Sequence, residues 1–245
     1  MGEPYYSDGL VTIYHGDCRE VMSALPDVDC VITSPPYNTL PATNNPSGLH
    51  GPKGGRGKWV KKAAEGYADQ RDEVEYQEWM LEILSRAFEL CRGLMWVNHK
   101  TRFRDGVGIH PARMFPWPIY SEVIWDRRGS MALNAKRFAP SHEFLLAFGS
   151  PHWWDDNLNT RMTVWRIAPV RGSDHPCPFP RRLISAPIAS SCPPDGVVLD
   201  PFMGSGTALD EAKRLGRRSI GIEIEERYCE IAADRCSQGV LALGS

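Results

Sequence analysis

The amino-acid sequence predicts an α/β fold whose sheet is mostly parallel. Short apolar runs with strand character alternate with stretches of helical periodicity along most of the chain, which is the pattern of a parallel sheet with helices on its faces. Several of these runs are apolar throughout, as expected for strands that are covered on both sides. The 245 residues suit one large domain, or one domain with an insertion, around a sizeable core.

The first part of the chain predicts two strands and two helices. A strand over 11–15 is followed by a helix that Pro26 closes. An apolar strand over 29–33 comes next. Between 72 and 90 apolar residues recur with a helical period, which predicts a long amphipathic helix.

The remaining predicted strands lie over 94–98, 120–125, 143–148, 196–200 and 219–224. A helix over 207–215 separates the last two strands, and a final helix follows them. Two stretches break the alternation: residues 41–68 are rich in Gly, Pro and Asn, and residues 149–182 are irregular. We therefore expect a single domain over 1–245 that carries two irregular segments.

Composition and charge exclude several classes of protein. A net charge of −2 and a pI near 6.4 give no overall attraction to nucleic acid, so such binding must come from local patches. Seven cysteines without a Cys-x-x-Cys pair argue against a disulfide framework and a zinc site, and the histidines show no metal spacing. The chain has no secretory pattern at its start and no apolar run of membrane-spanning length, so we expect a cytoplasmic protein without a membrane partner.

A rigid motif, Ser34-Pro35-Pro36-Tyr37, ends the strand over 29–33. Each proline fixes its own φ, lacks a backbone N–H and pushes the preceding residue into an extended shape. The motif therefore joins no hydrogen-bond ladder, and it presents a hydroxyl, bare carbonyls and an aromatic ring at the end of a buried strand. A plain strand-terminating turn is the alternative, and a functional role is the interpretation that we favour.

A glycine turn follows the strand that ends at Asp200. Gly204 and Gly206 let the backbone approach a ligand closely, and a helix start near Thr207 offers free N–H groups. Glu223 stands 23 residues beyond Asp200, near the spacing of about 20 at which an acidic residue binds a nucleoside ribose. The third glycine of the dinucleotide pattern is missing, which counts against NAD. Alone, the pattern also fits a tight turn with a surface glutamate.

Two segments, TSPPY at 33–37 and LDPFMGSGT at 199–207, together resemble the DNA methyltransferases that modify amino groups with S-adenosylmethionine. In that family Asp/Asn/Ser-Pro-Pro-aromatic is the catalytic motif and Asp-Pro-Phe-x-Gly-Ser-Gly-Thr is the cofactor motif. The catalytic motif comes first here, which resembles the circularly permuted β-class. Residues 141–148 and 175–188 resemble further family segments, so the resemblance covers most of the chain except 41–68 and about 150–174.

The resemblance implies a Rossmann-like, doubly wound sheet of the class I methyltransferase fold, circularly permuted and with small DNA-recognition insertions. In that order the strands over 29–33 and 196–200 lie side by side, and ligands bind beyond their carboxyl ends. S-adenosylmethionine is the implied cofactor, and its implied contacts are Asp17, Asp200, Pro201, Phe202, Gly204, Ser205, Gly206, Thr207 and Glu223. Asp17, which is expected at the cofactor's adenine, fits a helix N-cap equally well.

For the catalytic motif the resemblance implies methyl transfer to an exocyclic amino nitrogen. The Ser34 hydroxyl and the Pro35 carbonyl would accept the amino hydrogens, draw the nitrogen toward tetrahedral geometry and aim its lone pair at the sulfonium methyl. Pro36 keeps the turn out of the sheet ladder, and Tyr37 would stack on a base flipped out of the duplex. Neither a metal nor a covalent nucleophile is required.

Double-stranded DNA is the implied partner, and basic segments offer contacts to its phosphates. Residues 41–68 are expected to form a flexible DNA-contacting loop, which carries no acidic residue between 41 and 64. Residues 149–174 are expected to form a small target-recognition region. The expected DNA-binding residues are Lys53, Arg56, Lys58, Lys61, Lys62, Arg127 and Arg128. A merely solvated insert is the alternative for the loop.

The whole pattern predicts a site-specific DNA methyltransferase of a bacterium or phage, with cytosine N4 as the favoured target and adenine N6 as the first alternative. An RNA or protein-amide methyltransferase and an inactive nucleic-acid-binding relative also fit parts of the pattern. The permuted motif order disfavours the former, and the intact Ser34, Tyr37 and Glu223 disfavour the latter. A homodimer and a cognate restriction endonuclease are further partners that this interpretation allows.

Overall fold

A computed structural model describes residues 2–38, 71–129, 138–158, 162–170 and 180–238. Its strands are β1 (Tyr6–Ser7), β2 (Val11–His15), β3 (Cys30–Thr33), β4 (Leu94–His99), β5 (Arg102–Arg104), β6 (Val107–Ile109), β7 (Ile119–Asp126), β8 (His142–Gly149), β9 (Val164–Arg166), β10 (Val197–Asp200) and β11 (Arg218–Glu223). Its α-helices are α1 (Cys18–Met22), α2 (Glu73–Leu90), α3 (Arg181–Ser191), α4 (Thr207–Arg214) and α5 (Glu226–Gln238).

Nine of the described strands form one sheet in the order β1-β2-β11-β10-β3-β4-β8-β7-β9, and β5 and β6 form a separate hairpin. Strands β1 and β8 run antiparallel to their neighbours, and the other adjacent strands in the sheet are parallel. Helix α2 connects the parallel pair β3 and β4, and helix α4 connects β10 and β11, because such a pair needs a crossover connection. The predicted mostly parallel α/β sheet is confirmed.

The helices cover both faces of the sheet. On β3, Cys30 and Ile32 point into a core cluster with side chains of α3, α4 and α5, while Val31 points into a second cluster with side chains of α1 and α2. Successive side chains of a strand face opposite sides of its sheet. A central strand must therefore be apolar at every position, which explains the continuous apolar run in the sequence.

Two glycines allow α4 to pack closely on its neighbours. A Cβ on Gly221 of β11 would lie 2.5 Å from Met203 Sδ, and a Cβ on Gly206 would lie 2.7 Å from the Ala232 Cβ of α5. Gly206 also has a φ of 75°, a left-handed conformation that favours glycine. The start of α4 is thereby fixed against β11 and α5, and with it the turn that follows β10.

Strand register brings the predicted site residues to one edge of the sheet. Val31 of β3 pairs with Leu199 of β10 and with Met95 of β4, so these three parallel strands end together. The antiparallel β8 begins at that edge, where Phe144 pairs with His99. Ligands of doubly wound sheets bind beyond such strand ends, and both sequence motifs lie there.

Helix α3 was not predicted, since the stretch through 182 read as irregular. Pro187 lies inside this helix, and an internal proline removes a helical hydrogen bond and obscures the helical pattern. The short strands β1, β5, β6 and β9 were also not predicted, because two or three residues are too few for a period-two pattern.

Two features are absent from the described part of the chain. None of its helices is both long and apolar enough to cross a membrane. No group of three or more His, Cys, Asp or Glu side chains there is arranged to hold a metal ion.

Candidate active site

The predicted catalytic motif leaves the sheet at the end of β3, directly beside the glycine turn. Thr33, the last residue of β3, is buried, and its hydroxyl donates a hydrogen bond to Asp200 Oδ1 at 2.7 Å. Asp200 ends the adjacent parallel strand β10. This bond therefore ties together two motifs that lie 167 residues apart in the sequence.

The hydroxyl of Tyr37 lies at the centre of a buried polar network. It is 2.9 Å from Ser34 Oγ, and it donates toward Asn98 Oδ1 at 2.8 Å and Glu143 Oε2 at 3.2 Å. Asn98 on β4 and Glu143 on β8 are 1% and 4% exposed. Arg127 pairs with Glu143 at 2.5 Å, which compensates the charge of the buried carboxylate. Three neighbouring strands thus hold the catalytic motif.

A second hydrogen-bond chain reaches the motif from α2. The Tyr76 hydroxyl donates to the Pro36 carbonyl at 2.7 Å and lies 2.8 Å from His99 Nε2. Burial lowers the pKa of His99 to about 3, so its imidazole is neutral and its Nε2–H can donate to Tyr76. The Pro36 carbonyl is therefore engaged, whereas the Pro35 carbonyl accepts no hydrogen bond from the part of the chain that the structure describes.

The ring of Tyr37 is approached by two side chains of the described part of the chain. The His99 ring is 4.7 Å away, centroid to centroid, at an interplanar angle of 44°. The Lys100 Nζ lies 5.2 Å from the Tyr37 ring centroid. The ring is therefore held from its face as well as through its hydroxyl, and stacking of a flipped base on it stays a prediction.

The glycine turn begins with a buried carboxylate. Asp200 Oδ1 accepts hydrogen bonds from the Thr33 hydroxyl and, at 3.1 Å, from the Phe202 N–H. Burial raises the pKa of Asp200 to about 7, against the lowering effect of these two bonds. Its Oδ2 is buried and has no hydrogen-bond partner among the described residues. A ligand with a cationic or hydroxyl group would satisfy this oxygen.

A second carboxylate, Glu223 at the end of β11, holds the other side of the turn. Its Oε2 accepts the Gly204 N–H at 2.9 Å, and its Oε1 accepts the Glu225 N–H at 2.9 Å. Burial raises the pKa of Glu223, although both backbone bonds favour its charged form. The backbone of the turn therefore holds this side chain, and its contact with a ribose stays a prediction.

The other predicted cofactor residues, Pro201, Phe202, Ser205 and Thr207, lie along the same turn. The Phe202 ring packs edge-on against Trp79 of α2 at 5.7 Å. The Thr207 hydroxyl accepts a bond from Arg235 of α5 at 2.7 Å. Helices from both faces of the sheet therefore fix the two ends of the turn.

Asp17 lies at the end of β2, next to β11, and its side chain is a helix N-cap. It accepts the Arg19 N–H at 2.9 Å and pairs with the Arg19 guanidinium at 2.6 Å. Hydrogen bonding from Arg19 lowers the pKa of Asp17. The N-cap alternative is thus confirmed, and a contact with adenine would have to share this carboxylate.

The predicted DNA contacts fall into two groups. Lys53, Arg56, Lys58, Lys61 and Lys62, together with the whole stretch 41–68, lie outside the described residues, and 149–174 is described only in part. Arg127 forms an ion pair with Glu143 of the network around Tyr37. Arg128 is exposed, and its backbone N–H donates to Asp126 at 2.9 Å.

Sequence reasoning missed the residues that support the motif: Asn98, Glu143, Tyr76 and His99. Tyr76 lies inside helix α2 and gave no such local signal. For Asn98, His99 and Glu143 the signal was a polar side chain at the end of an otherwise apolar strand, as in LMWVNH and HEFLLAF. Buried polar groups need partners, so each of these positions could have been marked as facing another polar group.

Known proteins of one family match this chain. A model of N6/N4-type DNA methylases matches residues 28–234. The chain is 29% identical, over 279 aligned residues, to the type II methyltransferase M.ScaI of Streptomyces caespitosus, covering 96% of this chain and 84% of that protein.

Two solved structures share the fold. PvuII DNA methyltransferase (cytosine-N4-specific) matches with a TM-score of 0.71 at 18% identity, over 95% of this chain and 88% of that one. The complex of M1.HpyAVI with SAM matches with a TM-score of 0.62 at 24% identity, over 92% and 99% of the two chains. The predicted class I methyltransferase fold is confirmed.

The family match spans most of the chain and includes both the catalytic motif after β3 and the glycine turn after β10. On this ground the chain belongs to the N6/N4 DNA methylase family.

Proposed function

We propose that this DNA amino-methyltransferase transfers a methyl group from S-adenosylmethionine to cytosine N4 at specific sites in double-stranded DNA. Family membership gives the reaction class, and the target base and the residue roles are the proposal. The observation that carries it is the 2.7 Å hydrogen bond from Thr33 to Asp200. It holds Ser34, the next residue, beside the turn that would bind the methyl donor.

The glycine turn fits S-adenosylmethionine by its chemistry. Asp200 offers a buried oxygen without a partner among the described residues, and Glu223 offers a carboxylate that backbone N–H groups already orient. A cationic cofactor with ribose hydroxyls would complement both acids. When bound, S-adenosylmethionine supplies a methyl group that is already activated. Gly204 and Gly206 provide the close backbone approach that such a ligand needs.

The catalytic motif would position the amino group for attack. Ser34 Oγ and the Pro35 carbonyl accept the two amino hydrogens, which directs the nitrogen lone pair out of the base plane. The Pro36 carbonyl does not compete, because Tyr76 already donates to it. Since the methyl group is activated beforehand, these residues contribute mainly by orientation.

Cytosine N4 is the proposed target because Ser-Pro-Pro-Tyr is the form of the motif that is commoner among cytosine-N4 enzymes of this family. The experiment is nucleoside mass spectrometry of DNA from a methylation-free host after incubation with the protein and S-adenosylmethionine. N4-methylcytosine without N6-methyladenine is expected. N6-methyladenine alone would favour the adenine alternative. The absence of both methylated bases would overturn the proposed function.

Contact with DNA phosphates is proposed for the basic residues of 41–68, on the evidence of their charge pattern. We predict that neutral replacements of Lys53, Arg56, Lys58, Lys61 and Lys62 flatten the dependence of DNA affinity on salt, by about 0.9 in slope for each lost contact. Fluorescence anisotropy at several salt concentrations measures the slope. An unchanged slope would identify the stretch as a solvated insert.

A cognate restriction endonuclease is the proposed biological partner, in the cytoplasm of a bacterium or of a phage-infected cell. The support is the type II designation of the relative M.ScaI. Sequencing of methylated DNA would give the recognition site, which an endonuclease partner must share. A homodimer is the other proposed partner, and sedimentation analysis tests it directly.

A further inference from the structure

The network around Tyr37 determines which way the Ser34 hydroxyl proton points. A serine hydroxyl can donate or accept a hydrogen bond, whereas the proposed reaction requires it to accept a hydrogen bond from the amino group. The amino group of cytosine or adenine stands next to a ring nitrogen that can accept a hydrogen bond. A freely rotating Ser34 hydroxyl could donate to that nitrogen and hold the base in an unproductive position.

The acceptors of the network are fixed by their own partners. Asn98 Nδ2 donates to the Phe144 carbonyl at 3.0 Å, so the amide orientation leaves Oδ1 toward Tyr37. Glu143 Oε1 accepts from Arg127 at 2.5 Å, and the other carboxylate oxygen, Oε2, is the atom that faces Tyr37. Among the described residues, the β4 and β8 side-chain atoms that face the Tyr37 hydroxyl are therefore both acceptors.

The proton order along the network follows from these acceptors. Tyr37 has one hydroxyl proton, and Asn98 and Glu143 both attract it. Ser34 Oγ lies 2.9 Å from Tyr37 Oη and 3.4 Å from Asn98 Oδ1, and Ser34 must then be the donor in either contact. With its only proton committed to this network, Ser34 Oγ presents lone pairs to its open side.

We propose that Glu143 and Asn98 are positioning residues that act through Tyr37 to make Ser34 an obligate acceptor for the target amino group. The inference rests on the proposed function and explains how serine serves where a carboxylate or amide stands in other members of the family. The negative charge of Glu143 also polarises the chain, which strengthens Ser34 Oγ as an acceptor.

The first test replaces Tyr37 with Phe, which keeps the ring and removes the hydroxyl. The single-turnover rate of methyl transfer to DNA from a methylation-free host should fall roughly 10- to 100-fold, while the affinities for S-adenosylmethionine and DNA stay at the wild-type values. Tyr6→Phe is the matched control, because the Tyr6 hydroxyl also donates to a carboxylate, Asp8, at 3.1 Å, but on the outer strand β1. A wild-type rate for Tyr37→Phe would overturn the inference.

The second test separates positioning from structural support by double-mutant cycles. If Glu143 and Tyr37 act through Ser34, then Glu143→Gln and Tyr37→Phe lower the rate of methyl transfer when Ser34 is present, but they do not lower it further in the Ser34→Ala variant. A further loss of rate in the Ser34→Ala variant would overturn the inference. Should Ser34→Ala fall below detection, the comparison of Tyr37→Phe with Tyr6→Phe decides alone.

The wild-type protein in the same assay distinguishes failure of the inference from failure of the proposed function. If the wild type methylates DNA but the second substitution lowers the rate of Ser34→Ala further, the inference is overturned and the proposed function still holds. Absence of incorporation by the wild type would overturn the proposed function, and the inference with it.

Discussion

The catalytic motif and the glycine turn lie on adjacent parallel strands, yet they use opposite chemistry. The catalytic motif, Ser34–Tyr37, is neutral. Side chains of β4 and β8 bind the Tyr37 hydroxyl, and a side chain of α2 binds the Pro36 carbonyl. The glycine turn instead contains two carboxylates whose pKa values burial raises, and one of their oxygens, Asp200 Oδ2, has no described partner. The first region is organised to orient hydrogen bonds, and the second holds two buried acids whose charged forms a cationic ligand would favour.

This difference suits the glycine turn to binding the cofactor and the catalytic motif to orienting the target base. A buried carboxylate costs stability unless a partner compensates it, so the glycine turn is a place where a cationic ligand gains much affinity. A network whose one carboxylate, Glu143, is already paired with Arg127 gains little from a ligand's charge, but it fixes the direction of each hydrogen bond. Substitutions in each region should therefore have different consequences.

The largest effect is expected for Asp200→Asn. The variant keeps the Oδ1 bonds from Thr33 and Phe202 but loses the charge, so affinity for S-adenosylmethionine should fall roughly 10- to 100-fold, as for a charged hydrogen bond. Isothermal titration calorimetry measures it. An unchanged affinity would show that the charge of this turn does not serve the cofactor.

The same variant should be more stable than the wild type at high pH. The folded protein holds the Asp200 proton up to about pH 7, whereas an unfolded aspartate loses it near pH 3.9. Stability that comes from the protonated form is therefore lost as pH rises between these values. The Tm advantage of Asp200→Asn should grow across this interval and then level off. Asp195→Asn, at an exposed site, is the control.

Glu223→Gln should have an effect of the same order. The carboxylate orients the glycine turn through the Gly204 N–H and would bind the ribose, so we expect cofactor affinity to fall by about 1.5–3 kcal/mol. Calorimetry on the folded variant measures the change. Glu226→Gln, three residues on and exposed, is the matched control. Equal affinities for both variants would exclude Glu223 as a cofactor residue.

The smallest effect concerns the neighbours Arg127 and Arg128, which were both predicted to contact DNA. Since Arg127 is paired with Glu143 in the catalytic network, Arg127→Gln should slow methyl transfer a few-fold and leave the salt dependence of DNA binding unchanged. Arg128→Gln should reduce the salt slope by about 0.9. If both variants change the slope equally, Arg127 belongs to the DNA surface and not to the catalytic network.

The two motifs could be predicted from the sequence because their physics is local. Prolines fix their own backbone in Ser34–Tyr37, and glycine at 206 permits the left-handed start of α4. Strand order and the confirmed family followed from these motifs. Asp17 shows the limit of local reasoning, since the end of a strand and the start of a helix coincide there and the N-cap uses the carboxylate.

The supporting network could not be predicted, because its contacts depend on tertiary structure. Glu143 meets Tyr37 across 106 residues of sequence, and this requires that β8 runs antiparallel and begins where β3 and β4 end. Short apolar runs do not encode strand direction or register. Helix α3 was missed for a different reason, namely the internal Pro187.

The division between orientation and binding is tested most directly by one paired measurement. The single-turnover rate at saturating cofactor and the calorimetric Kd for S-adenosylmethionine are determined for Tyr37→Phe and Glu223→Gln. We predict that Tyr37→Phe lowers the rate with an unchanged Kd, and that Glu223→Gln raises the Kd with a rate near that of the wild type. If each variant changes both quantities to the same extent, the two regions do not have separate roles and the proposed division is contradicted.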